Sequence, residues 1–148
     1  MAGVRWRPPW AKVGTFTGEV TLTWRGPRSY ALRFVDQPPF SYTLADGSLT
    51  ITPGPMMTDG GSVPKFFWRI VDPWEFLPAY MIHDSLFQAH HDGKDLLDFD
   101  ATNLCLAEAI NTLIQTGRAT GGWIETEAIY RAVSSRFGRW VWDHGTAT

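Results

Sequence analysis

Apolar and polar positions alternate in the first third of the chain and then change to a helical period. Thr15 to Trp24 alternates with β-branched residues, and Tyr30 to Val35 alternates again, with Gly26-Pro27 as a turn between them. Phe40 to Leu44 and Leu49 to Thr52 flank Asp46-Gly47, a dipeptide suited to a tight hairpin turn with positive φ. The pattern predicts a four-stranded antiparallel meander. A short helix is expected from about Val63 to Val71, stopping at Asp72-Pro73 because the residue before proline disfavours the α region. From Ala79 to about His90 the positions Ala79, Ile82, Leu86 and Ala89 mark one helix face, with His83 at its edge. A further helix from about Phe99 to Thr116 carries Asn103, Leu106, Ile110 and Leu113 on one stripe and closes at Gly117. The last, from about Ile124 to Trp142, has Tyr130, Val133, Phe137 and Trp140 as its expected buried stripe, with Gly138 tolerated within it. Strands followed by helices predict an α+β fold: an N-terminal antiparallel β-meander, then a C-terminal cluster of three to four helices.

Residues 1–14 stand apart from this pattern. Val4 to Val13 is rich in Trp, Pro and Arg and has no period with which to enter a sheet or helix, so it is read as an N-terminal arm before one α+β domain spanning 15–148. At 148 residues, 44% hydrophobic and 14% aromatic, the chain can bury one sizeable core. Eight tryptophans carry more ring area than a monomer of this size readily exposes, so most should be core or interface anchors, and Trp6, Trp10, Trp123 and Trp142, together with Arg7, are candidates for a protein-binding surface. A net charge of -2 argues against general nucleic-acid binding, which needs surplus cations for phosphate. The single cysteine, Cys105, excludes an intrachain disulfide and reads as a small core residue. No apolar run approaches the roughly 18 residues of a membrane span, and no secretory leader is signalled, so no membrane span is expected.

Candidate chemistry is concentrated in Thr58-Asp59-Gly60-Gly61-Ser62-Val63-Pro64 and in His83-Asp84. The glycines let the backbone bend closely around a ligand or side chain, and a carboxylate-oriented imidazole can take a proton from water or serine. Asp59, Ser62, His83 and Asp84 therefore contain the parts of a hydrolytic site. The same residues also suit a structural brace, with Ser62 as helix N-cap, Asp59 accepting from its own loop and His83 tying loop to helix. No cofactor is expected; under the hydrolase alternative a divalent metal is admissible, with His83 and Asp84 joined by His90 or His91. His83 and His90 lie two turns apart, too far for adjacent ligands without a bend, and His90-His91-Asp92-Gly93 reads more simply as a solvated helix end.

The order Thr58, Asp59, Gly60, Ser62, Pro64, then Phe67-Trp68, then Pro78-Ala79 and His83-Asp84, then Tyr130-Arg131-Ala132-Val133 with Phe137, Gly138 and Trp140, resembles the family called domain of unknown function 1353, found in tailed phages and prophages. The chain departs from the family pattern at Phe87, where a tyrosine is usual. It departs again at Thr102-Asn103 or Asp100-Ala101, where the family has an Ala-Asp pair; if Asn103 takes that place, the site has one acid fewer. The resemblance implies a phage origin, hence a protein made in the host cytoplasm and located in the virion. The expected function is that of a virion accessory protein, associated with tail or connector and binding other virion proteins. The alternative is a small phage hydrolase used in lysis or in entering the host.

Overall fold

The structure is a computed structural model that describes residues 7–27, 29–34, 39–54, 56–58 and 75–144. Its elements, in order, are β1 (Thr15–Thr17), β2 (Val20–Gly26), β3 (Ser29–Phe34), β4 (Ser41–Thr43), β5 (Thr50–Ile51), β6 (Met56–Thr58), α1 (Leu77–His91), α2 (Phe99–Gln115), α3 (Trp123–Val133) and α4 (Arg136–His144). Antiparallel strands precede four helices, so the α+β class expected from the sequence holds. The expected helix from Val63 to Val71 lies outside the described residues.

The strands are not one meander. They form two three-stranded sheets, ordered β1-β4-β5 and β2-β3-β6. The single strand expected from Thr15 to Trp24 is divided at Gly18, whose φ of 78° sits in the left-handed region. A Cβ there would lie 2.6 Å from the backbone nitrogen of Phe40, so only glycine lets the two stretches of chain cross this closely. Beyond that bend β1 pairs with β4, and β2 turns away to pair with β3. The short β6 closes the second sheet against β3. It was not expected, because three residues are too few to show a period.

The Asp46-Gly47 turn joins β4 to β5 as predicted. The Leu44 amide donates to the Leu49 carbonyl at 3.0 Å, Gly47 has a φ of 74°, and the Ser48 amide donates to Asp46 Oδ1 at 2.9 Å. The Ser48 hydroxyl first, and then that amide bond, hold the Asp46 carboxyl below its ordinary range.

The core lies between the first sheet and the helices. Tyr42 and Ile51 from the strands, with Phe40 just before β4, meet Ile82 and Leu86 of α1, Leu106, Ile110 and Leu113 of α2, and Ile129 of α3. Helix α2 is the central one because both of its long faces are covered. Asp98 caps its start by accepting from the Ala101 amide at 2.7 Å, and Gly117, at φ 74°, closes its end where expected. Cys105 is buried within it, as expected, and desolvation pushes its thiol up to about 12.

The last helix of the sequence reading is two helices. Ser134 and Ser135 interrupt it: the Ser135 hydroxyl donates to the Ala132 carbonyl at 2.6 Å, giving the backbone an alternative to continuing the helix. A Cβ on Gly138 would collide with the Val133 carbonyl, so glycine permits α4 to fold back over the end of α3. With the axis broken, the expected stripe is lost. Phe137 and Trp140 face solvent at 38% and 49% exposure, and Trp142 takes the interior place at 5%.

Candidate functional site

His83 projects from the middle of α1 toward α2, half-buried. Its Nε2 lies 2.9 Å from Asn103 Oδ1, while Asn103 Nδ2 donates to the Val133 carbonyl at 3.3 Å. An amide oxygen can only accept, so His83 donates through Nε2-H and keeps its lone pair on Nδ1. Asn103 is fully buried at 0% exposure, and its two ends are used to tie α1 to the C-terminal end of α3. Burial pushes His83 down to about 4, with the Asn103 hydrogen bond opposing the shift, so the ring is neutral near pH 7. Phe87 covers the imidazole at a centroid distance of 4.6 Å.

Of the candidate site residues, His83 and Asp84 are adjacent on α1, and Asp84 is half-buried. Asp59 and Ser62 lie outside the described residues. Among the described residues the polar partner of His83 is Asn103, which the sequence marked as a polar side chain on an apolar stripe and as one candidate for the place where the family has an acid. Among the described residues no group of three or more His, Cys, Asp or Glu is placed to hold a metal ion.

The pair His90-His91 is not a merely solvated helix end. His90 stacks on Trp142 at 3.7 Å and 8°, and its Nδ1 lies 2.6 Å from Asp95. His91 Nε2 lies 3.1 Å from the Val141 carbonyl and 3.2 Å from that of Trp142. Both histidines fasten α4 to the end of α1. The sequence placed them correctly at a C-terminus, closed by Gly93 at φ 80°, and missed the helix that returns over them.

The expected interaction residues separate into interior and surface groups. Trp10 is buried at 2% exposure, its indole N-H donating to Glu127 Oε2 at 2.7 Å and its ring 6.3 Å from Trp123. Trp142 is interior as well. Neither offers the exposed surface that the sequence reading assigned to them. The reason is tertiary: α3 supplies the slot for Trp10, and α1 with Phe99 of α2 supplies the one for Trp142, and no local period reveals either. Trp123 is 50% exposed and Arg7 is exposed, whereas Trp6 lies outside the described residues. The exposed large apolar side chains of Trp24 at 67%, Ile124 at 78%, Phe137 and Trp140 were missed. Alternation placed Trp24 in a strand without saying which of its faces is covered.

A second polar centre joins sheet to helix. The Tyr42 hydroxyl donates to the Glu108 carboxylate, and the Ala45 amide reaches the same oxygen at 3.3 Å. Thr112 Oγ1 donates to the Glu108 carbonyl at 2.9 Å and accepts from the Gly14 amide at 2.9 Å. Burial first, and then the Glu108 carboxylate, push the Tyr42 phenol up. The centre is a buried, internally satisfied clasp between β4, α2 and the start of β1.

These features belong to a protein class defined by family, not by a known chemistry. Residues 35–143 match the family described as protein of unknown function (DUF1353), and the chain belongs to that family. No curated protein and no solved structure matches the chain. No helix among the described residues is long and apolar enough to cross a membrane.

Proposed function

We propose that this protein is a non-enzymatic accessory component of a phage particle, associated with tail or connector, that works by binding other virion proteins. The observation that carries this reading is the set of large apolar side chains left facing solvent: Trp24, Trp123, Ile124, Phe137 and Trp140 are 38% to 78% exposed. Aromatic rings of this size outside a core are the usual anchors of protein interfaces. His83 supports the same reading, since its Nε2-H and both ends of Asn103 are occupied in linking three helices. The family resemblance read from the motifs supplies the phage setting. Mass spectrometry of purified particles tests the proposal. The chain is expected at a fixed stoichiometry that survives washing, and its absence from particles would overturn the reading.

One observation favours the alternative, a small hydrolase. His83 is neutral near pH 7, the state a general base starts from, although burial that holds it at about 4 makes it a weak base. Under that reading hydrolysis of a phage-relevant substrate is abolished by His83→Gln while the folded state persists. No such loss is expected here.

A further inference from the structure

We infer that the outward face of α4 is a docking site for an acidic polypeptide segment that also carries apolar side chains. The inference rests on the protein-binding reading above and names the chemistry of the partner. Arg136 and Trp140 are spaced i, i+4, and Phe137 and Trp140 i, i+3, so each pair lies on adjoining positions of one helix surface. Phe137 and Trp140 are exposed, and His144 stacks on Trp140 at 5.0 Å, which broadens the aromatic platform. Around them one positive charge is in excess. Arg131, Arg136 and Arg139 stand against two carboxylates, Glu127 and Asp143, in a chain whose net charge is -2.

The pairing of those arginines decides between a polypeptide and a nucleic acid. Arg131 is engaged by Glu127 at 3.1 Å and Arg139 by Asp143 at 3.3 Å, whereas Arg136 has no carboxylate at salt-bridge distance among the described residues. Arg139 also lies over the Phe99 ring at 5.1 Å. A phosphate backbone needs several available cations in a row. An acidic segment needs a carboxylate for Arg136, and apolar side chains for the Phe137-Trp140 platform.

The test is anisotropy of a short labelled peptide of glutamates interspersed with leucines, titrated with the full chain, beside labelled oligothymidylate. The peptide should bind, weaken by at least about tenfold in Arg136→Glu and in Trp140→Ala, recover in Arg136→Lys, and be unaffected by Trp24→Ala. Affinity should fall as salt rises from about 0.05 to about 0.3 M. Peptide binding that ignores both α4 variants, no peptide binding at all, or tighter binding of oligothymidylate would each overturn the inference. Particle association of the unaltered chain is read separately. If the chain is absent from particles while the α4-dependent peptide binding stands, the virion reading fails and the docking surface remains.

Discussion

Asn103 is the residue on which the helical half turns, because one amide satisfies a ring nitrogen of α1 and a carbonyl at the end of α3. Replacing it with alanine removes both bonds and leaves His83 Nε2-H and the Val133 carbonyl without that partner, at a cost of about 2–3 kcal/mol. A denaturant midpoint shifted by that amount in Asn103→Ala is the expected result. His83→Ala should cost on the order of 1–3 kcal/mol by the same reasoning, and an unchanged midpoint would remove the case for a brace. The pH dependence has a definite sign. His83 titrates at about 4 in the folded chain and near 6.5 when unfolded, so between those values the unfolded state binds more protons. Stability from this group is complete above about pH 6.5 and is lost as pH falls toward 4, by roughly 3 kcal/mol at most because some of the ring surface is exposed. Melts of the native chain across that window should show the loss, and His83→Gln should flatten it.

Among the elements, the joint between α3 and α4 is set by sterics at a single position. Gly138→Ala would drive a methyl group into the Val133 carbonyl, forcing α4 off its seat on α1, where Trp142 stacks on His90. We expect destabilisation of about 1–3 kcal/mol, with loss of protection of α4 amides in hydrogen exchange before the rest of the fold is affected. An alanine there with unchanged exchange would mean that the helix joint is not limited by this contact. The sequence showed the apolar period through this region but not the joint. Two serines do not always stop a helix, and here it is the packing of α4 against α1 that makes the break worthwhile. The same limit applies to Gly18, where a bend into a second sheet is legible only once Phe40 is known to pass beside it.

For the whole molecule, the N-terminal segment is tied to the helices by separated points. Trp10 fills a slot beside Glu127 and Trp123, the Lys12 carbonyl accepts from Asn111, and the Gly14 amide donates to Thr112. Trp10→Ala should therefore destabilise the domain by about 3–5 kcal/mol, the usual range for emptying a buried tryptophan site. If that variant melts like the native chain, residues 7–14 are dispensable to the fold and free to act as a detachable arm. Glu108→Ala should loosen the sheet from α2 by roughly 1–3 kcal/mol, because the Tyr42 hydroxyl and the Ala45 amide both lose their acceptor. Glu108→Gln, which keeps an acceptor oxygen, should cost less in the same melts.

What the sequence determined by itself is what short-range physics controls. The order of strands before helices, the Asp46-Gly47 turn, the extents of α1 and α2, and the glycine that ends α2 all follow from periodicity and from backbone preferences within a few residues. So did the family, which the order of motifs along the chain resembled and whose model matches residues 35–143. Tertiary structure alone decided which polar group meets His83, which strands share a sheet, and which tryptophans are inside. Each of these depends on chain segments far apart in sequence: Asn103 stands 20 residues from His83, and Glu127 stands 117 from Trp10. A helical period says that a face will be covered but not by what. Phe137, Trp140 and Trp142 therefore took their places only when α4 broke from α3 and packed on the end of α1.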